Sequence, residues 1–214
     1  MNVIIFFTIS IFALSSALKI SAQDTIYTTR TWIIEREAPK SKYKTPDYPA
    51  HDIYTEGMYY SSGTKKGFER NPKKAFEKYI EAANQGHPLA QYQLGSCYYF
   101  GRGTDKDKKK AFKYWELSAQ ANVAEAQYHL GEMYYNGEEI KRNYNTAFEL
   151  FSKSAEQGNP NAYYMIGVCY LEGHGVEKSK DNAITYLKKA EKKANRKARQ
   201  KLKELLPDEY KDKK

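Results

Sequence analysis

The chain has 214 residues, of which 41% are hydrophobic, 29% charged and 14% aromatic, with 20 tyrosines. That length suffices for one domain with a continuous stacked core, and two cysteines are too few for a disulfide framework. The net charge of +9 is uneven: residues 178–214 carry 14 Lys or Arg against 6 Asp or Glu, whereas residues 1–177 carry 21 against 20.

At the N-terminus, Val3 to Leu18 is an apolar run softened by Ser and Thr, followed by Lys19-Ile20-Ser21-Ala22-Gln23. A segment short for a membrane span and closing on small residues reads as a secretory signal, here without the usual basic n-region. Cleavage is expected after Ala22 or Ala17 and would make the protein secreted or periplasmic. Retention of the segment as a membrane anchor is the alternative. Residues 23–49, with TIYTTRTWIIERE and a Pro- and Lys-containing stretch, read as a linker or N-terminal arm.

From residue 50 one pattern recurs. AQYQLGSCYYFG begins at Ala90, AQYHLGEMYYNG at Ala126 and AYYMIGVCYLEG at Ala162, with a looser copy, HDIYTEGMYYSSG, from His51. Gly95, Gly131 and Gly167 are 36 residues apart, as are Ala75, Ala111, Ala147 and Ala183, and Ala90, Ala126, Ala162 and Ala198. A fixed period in the thirties marks stacked supersecondary units, since one such unit cannot bury its apolar face alone. Apolar positions inside each copy follow a helical rather than a strand period.

Each copy divides into a helix A and a helix B. In the second, Pro88 suits the first turn of helix A, and Ala90, Leu94, Cys97 and Tyr98 recur on its buried face. Gly101-Arg102-Gly103 breaks it. Helix B begins near Asp107 and stops at Asn122, where other copies have Gly86 and Gly158, all residues that tolerate the left-handed conformation ending a helix. Mid-helix glycines at 95, 131 and 167 each cost about 1 kcal/mol relative to alanine, so they imply close packing; Ala75, Ala111, Ala147 and Ala183 are the expected partners. The first copy carries two extra residues within Ser62–Arg70. At the far end Ala198, Leu202 and Leu205 continue the register with Lys and Arg around them, as a capping helix requires. Pro207 ends it, and the last seven residues are expected to fray.

The expected fold is all-α: a right-handed α/α superhelix (solenoid) of four helix pairs with a C-terminal capping helix. The repeats fall at about 50–86, 87–122, 123–158 and 159–194, the cap at 195–206 and a basic tail at 207–214. Cys97 and Cys169 occupy equivalent positions two repeats apart, beyond disulfide reach, and read as apolar fillers.

The pattern A-x-Y-x-L-G-x-x-Y-x-x-G, followed by A-x-x-x-W/F and S/K-x-A-x-Q-G, resembles the Sel-one-like repeat family, a relative of the tetratricopeptide repeat. The resemblance covers residues 50–206. It implies adaptors, receptors and scaffolds of multiprotein assemblies, with helix A lining the concave side. Some secreted bacterial members were described as cysteine-rich penicillin-binding proteins; their paired cysteines are not matched here, where two repeats have one each and the others none.

On that basis the face of helix A turned away from helix B carries Tyr92, Ser96 and Tyr99, repeated as Tyr128, Glu132 and Tyr135, with Tyr54 and Tyr164 extending the set to one tyrosine per repeat. Tyrosine joins large rigid area to a polar tip and suits a groove that holds a peptide or partner helix. The same rings could equally serve to pack adjacent A helices. Tyr54, Tyr92, Ser96, Tyr99, Tyr128, Glu132, Tyr135 and Tyr164 are therefore the candidate partner-binding residues of a non-enzymatic interaction module. No cofactor or metal is expected, since His51, His87, His129 and His174 show no i, i+4 pairing. A penicillin-binding or β-lactamase-like hydrolase is the alternative the relatives suggest, but neither a G-x-S-x-G turn nor S-x-x-K together with its partner motifs is present. The basic segment Lys188–Lys203 could touch an anionic surface weakly. It lacks the interleaved aromatics of a nucleic-acid reader.

Overall fold

The computed structural model describes residues 48 and 50–210, so the expected signal segment, nearly all of the N-terminal arm and the last four residues lie outside it. Nine α-helices and no strand occur among the described residues. They are α1 (His51–Ser62), α2 (Pro72–Asn84), α3 (Pro88–Phe100), α4 (Lys108–Gln120), α5 (Ala124–Asn136), α6 (Tyr144–Glu156), α7 (Pro160–Glu172), α8 (Lys180–Lys192) and α9 (Arg196–Leu205). Principal contacts run between chain neighbours, densest within the pairs α1/α2, α3/α4, α5/α6 and α7/α8. The fold is an all-α repeat superhelix closed by α9. No described helix is long and apolar enough to cross a membrane.

The helix ends are set locally and repeat with the period. Asn71, Asp107, Asn143 and Ser179 each cap a B helix, their side chains accepting from the backbone N–H three residues on. Their own N–H groups donate to the carbonyls of Tyr60, Tyr98, Tyr134 and Tyr170, at 2.8, 2.9, 3.0 and 2.9 Å, and so tie each B helix to its A helix. B helices stop as the sequence predicts, with Gly86, Asn122 and Gly158 at φ 83°, 62° and 86°. Ala194, at φ 62°, fills the same place in the last repeat.

The mid-helix glycines do admit a close approach, but of a different residue from the one expected. A Cβ on Gly57, Gly95, Gly131 or Gly167 would lie 2.7, 2.5, 2.7 or 2.8 Å from Tyr79, Trp115, Phe151 or Leu187 respectively. The expected Ala75, Ala111, Ala147 and Ala183 are buried one turn earlier on the B helix, where the Ala183 carbonyl would also lie 3.3 Å from a Cβ on Gly167. The reason is geometric. Small residues bring the two backbones together, and the ring four positions on then needs the space a side chain on helix A would fill.

Between repeats the contact is aromatic. Phe76 meets Tyr98 edge-on at 5.4 Å, Phe112 meets Tyr134 at 5.8 Å and Phe148 meets Tyr170 at 5.7 Å, each joining one B helix to the next A helix. Edge-to-face packing directs the ring hydrogens of one at the π-cloud of the other and resists sliding of the layers. In the first pair, Phe68 from the longer loop packs on Tyr59 and Tyr60 instead.

The cap behaves as expected, with Ala198 and Leu202 buried on the inner face of α9. The chain after Pro207 does not fray at once. Glu209 pairs with Lys188 at 2.9 Å, and the Tyr210 hydroxyl donates to Glu191 beside the Leu187–Leu202 cluster.

Two outcomes check this account. Gly131→Ala should cost about 1–2 kcal/mol of unfolding free energy in urea, overpacking against Phe151 outweighing the gain in helix propensity; in a Phe151→Ala background that cost should vanish. Cys97 and Cys169 are both free, and burial pushes their thiols up to about 11 and about 12. Neither should react with a disulfide reagent in native buffer, and both should react once denaturant is added.

Candidate functional site

The second repeat differs from the others in the residue that fills its glycine notch. Trp115 of α4 lies against Gly95, and its indole N–H donates to the Tyr92 carbonyl at 3.2 Å. Only 1% of it is exposed. Beyond the notch the ring stacks on His129 of α5 at 4.8 Å and meets Tyr99 at 5.0 Å.

His129 is the hub. Tyr92 stacks on it at 6.0 Å, Tyr128 meets it edge-on at 5.0 Å, and its Nδ1 lies 3.1 Å from a Glu132 oxygen. The Tyr128 hydroxyl donates to the other Glu132 oxygen at 2.6 Å. Tyr92, Tyr99, Tyr128 and Glu132, four of the candidate residues, are thus brought together. With Phe100, Met133, Asn136 and Glu138 the members Tyr99, Trp115, His129 and Glu132 line a cavity of about 230 Å³ between α3 and α5.

The other candidates lie apart. Tyr54 stacks on His87 at 4.6 Å. Tyr135 shares a 2.9 Å hydrogen bond with Nδ1 of His174, and Tyr164 packs beside the cap cluster. Ser96 is misplaced by the sequence reading: it is 5% exposed and its hydroxyl donates to the Tyr92 carbonyl, so it offers nothing outward.

Nor do the tyrosines stand clear of the B helices as expected. Tyr54, Tyr99, Tyr128 and Tyr135 reach the notch rings at 6.2, 5.0, 6.1 and 6.2 Å, and all are half-buried. They do not stack on one another. Tyr92 stacks on His129, the residue after Tyr128, which interleaves the series. Burial raises the phenol pKa of Tyr54, Tyr92 and Tyr128, and pushes Tyr99 and Tyr135 up to about 12. These hydroxyls keep their protons, and those of Tyr99 and Tyr128 donate to Glu138 and Glu132.

Two side chains that periodicity did not single out close the edge of this region. Glu138, in the loop after α5, accepts from the Tyr99 hydroxyl at 2.9 Å and from Lys108 at 3.0 Å. Burial alone would raise its carboxyl, but Lys108 and Tyr99 outweigh that and hold it below the ordinary value. One repeat later His174 takes the same place, bonded to Tyr135 and stacked on Tyr144 at 3.9 Å. Each clasp joins the end of an A helix, the start of its B helix and the next repeat's loop. The signal that could have found them is the 39-residue offset from Tyr99 to Glu138 and from Tyr135 to His174.

At the N-terminal end His87 is 0% exposed, and its Nδ1 accepts from the Ala90 N–H at 3.2 Å. That bond leaves the proton on Nε2, which donates to Nδ1 of His51 at 3.2 Å. Tyr48, Tyr54 and His51 enclose the ring. The cap position in the later A helices is held by Val123, Asn159 and Asn195.

Stacked in-phase helix pairs with a side-chain-lined furrow between A helices define an α/α repeat protein. The chain belongs to the Sel1 repeat family, whose description matches residues 57–87, 88–123, 124–159 and 160–195. Sel1 repeat proteins are generally protein-interaction modules, and the fold is typically a non-enzymatic scaffold. Among solved structures, a Sel1 repeat protein from Oxalobacter formigenes is 30% identical, with TM-score 0.65, covering 73% of this chain and 64% of that one. A protective antigen of uropathogenic Escherichia coli displaying an SLR fold is 26% identical, with TM-score 0.65, over 78% of this chain and 34% of that one. An immunity protein from Pseudomonas aeruginosa is 25% identical, with TM-score 0.53, over 78% and 63%. Among curated proteins, chitin synthase regulatory factor 3 of Schizosaccharomyces pombe is 35% identical over 80 residues, which is 37% of this chain and 8% of that protein. The chain therefore spans less than two thirds of each of these relatives.

Desolvation first, and His51 second, lower the His87 pKa to about 4, below the ordinary 6.5. The folded state then holds fewer protons than the unfolded state between those values, so stability is full above pH 6.5 and declines as pH falls toward 4. The loss should reach about 3 kcal/mol at most. His87→Asn, which restores the cap of the later repeats, should flatten that part of a urea-midpoint-against-pH curve.

Proposed function

We propose that this chain is an exported, non-enzymatic interaction module whose A-helix furrow holds an extended segment of a partner protein. The observation that carries the reading is the group around His129. Half-exposed rings, two hydroxyl donors and two carboxylates converge there between α3 and α5, on well-packed helices that need little ordering when a partner arrives. Phe100, 44% exposed, stands at its mouth, and a large apolar ring left in water beside oriented polar groups is the composition of a protein-contact site. Export is supported by the apolar segment Val3–Leu18 and the small residues after it. The non-enzymatic part is supported by side chains held away from nucleophilic forms: burial raises the pKa of the Cys97 and Cys169 thiols and of the Tyr99 and Tyr128 phenols. The partner is a protein.

Because the candidate tyrosines are half-buried, replacing them by alanine would mix loss of binding with loss of packing. Phe100 is the cleaner probe. A photo-crosslinking amino acid at position 100 in the native cell should yield one recurrent adduct, and the same group at the exposed Lys113 of α4 should yield none. Phe100→Ala should then weaken the captured complex on the order of tenfold. Equal labelling at both positions would defeat the reading.

A further inference from the structure

We propose that the cavity between α3 and α5 is a receptacle for a cationic side chain, an arginine of the partner segment. This rests on the furrow reading above and gives it a chemical specificity. At about 230 Å³ the cavity admits one long side chain, and it falls below the roughly 300 Å³ at which small-molecule pockets begin. Its lining is aromatic and acidic. Trp115 and Met133 form a dry floor, Tyr99, Phe100 and His129 supply rings, and Glu132 and Glu138 supply carboxylates.

The two acids differ. Glu138 is matched by Lys108 at 3.0 Å. Among the described residues no Lys or Arg lies within salt-bridge distance of Glu132, which is oriented by the Tyr128 hydroxyl and the His129 imidazole, one on each carboxylate oxygen. An anion would meet two carboxylates. An apolar side chain would strip water from Glu132 and return no hydrogen bond. A guanidinium supplies both a charge for Glu132 and a flat face for the rings, which an ammonium does not. The chain itself already shows that one of these rings accepts a guanidinium: Arg102 stands 4.7 Å from the centre of the Phe100 ring. Glu125, exposed on the first turn of α5, adds a further negative charge along the same furrow.

The chain has two tryptophans, so Trp32→Phe leaves Trp115 at the cavity floor as the only one and its emission as a local reporter. The full-length W32F protein is titrated with acetyl-Gly-Gly-Arg-Gly-Gly-amide, and with the same peptide carrying citrulline, which keeps the shape and loses the charge. Calorimetry runs in parallel, so that a silent fluorophore does not hide binding. The expected result is saturable binding of the arginine peptide, at least fivefold weaker binding of the citrulline peptide, and loss of that preference in Glu132→Gln at unchanged thermal stability. Equal affinity for both peptides, an undiminished preference in Glu132→Gln, or no saturation up to tens of millimolar overturns the proposal. Self-association of the unliganded protein that Glu132→Gln abolishes would also overturn it, by making the basic C-terminal end of a second copy the occupant. If the peptide fails while crosslinking at position 100 persists, the furrow reading stands and only the cationic receptacle falls; if both fail, both fall.

Discussion

The whole stack depends on a ring, or in the last pair a leucine, pressed against a glycine in the middle of the facing helix. Tyr79, Trp115, Phe151 and Leu187 each fill space that any side chain at the glycine would occupy. The glycines weaken their helices by about 1 kcal/mol each. In return, large buried side chains pass close to the A-helix backbone and contribute roughly 2 kcal/mol or more apiece on burial. Because the notch recurs in register, each pair closes to a similar spacing, and Phe–Tyr edge contacts can then join one pair to the next.

The same device makes the furrow uneven although the repeats are in phase. Where the notch holds tryptophan, the ring reaches through to the next A helix and becomes the floor of a cavity. In the third pair Phe151 lies beside Tyr128 and Tyr135, and in the fourth Leu187 joins the core below the cap. The clasp residues vary likewise: Glu138 brings a carboxylate to the cavity edge, whereas His174 one repeat on is engaged by Tyr135 and Tyr144. The rings of Tyr99 and Tyr128 pack against the notch side chains Trp115 and Phe151, and their hydroxyls bond the carboxylates of Glu138 and Glu132.

The basic end is less free than its composition suggests. Lys188 and Lys201 are paired with Glu209 and Glu204, each at 2.9 Å, and Lys189 lies over the Tyr186 ring at 4.7 Å. Exposed pairs of this kind contribute little to stability. The Lys188–Glu209 pair, together with the hydrogen bond from Tyr210 to Glu191, returns the chain after Pro207 to the last helix pair, beside a cap whose inner face is small and apolar.

Residue order alone determined the period, the number of helix pairs, the break points and the cap, because each is written in short-range chemistry. A proline at a first turn, a capping Asp or Asn, a glycine in the left-handed region and an alanine every 36 residues act through hydrogen bonds and sterics within a few positions. The family was legible for the same reason. Tertiary structure decided which ring enters each notch, that Ser96 turns inward, that the tyrosines alternate with His129 rather than stack together, and that His51 meets His87. Apart from the Ser96 bond to a carbonyl four residues back, those contacts join residues 20 to 37 apart, across helices whose relative rotation and tilt no local pattern specifies. A shift of a few ångströms between layers would pair each ring with a different neighbour, so only the packed stack could choose.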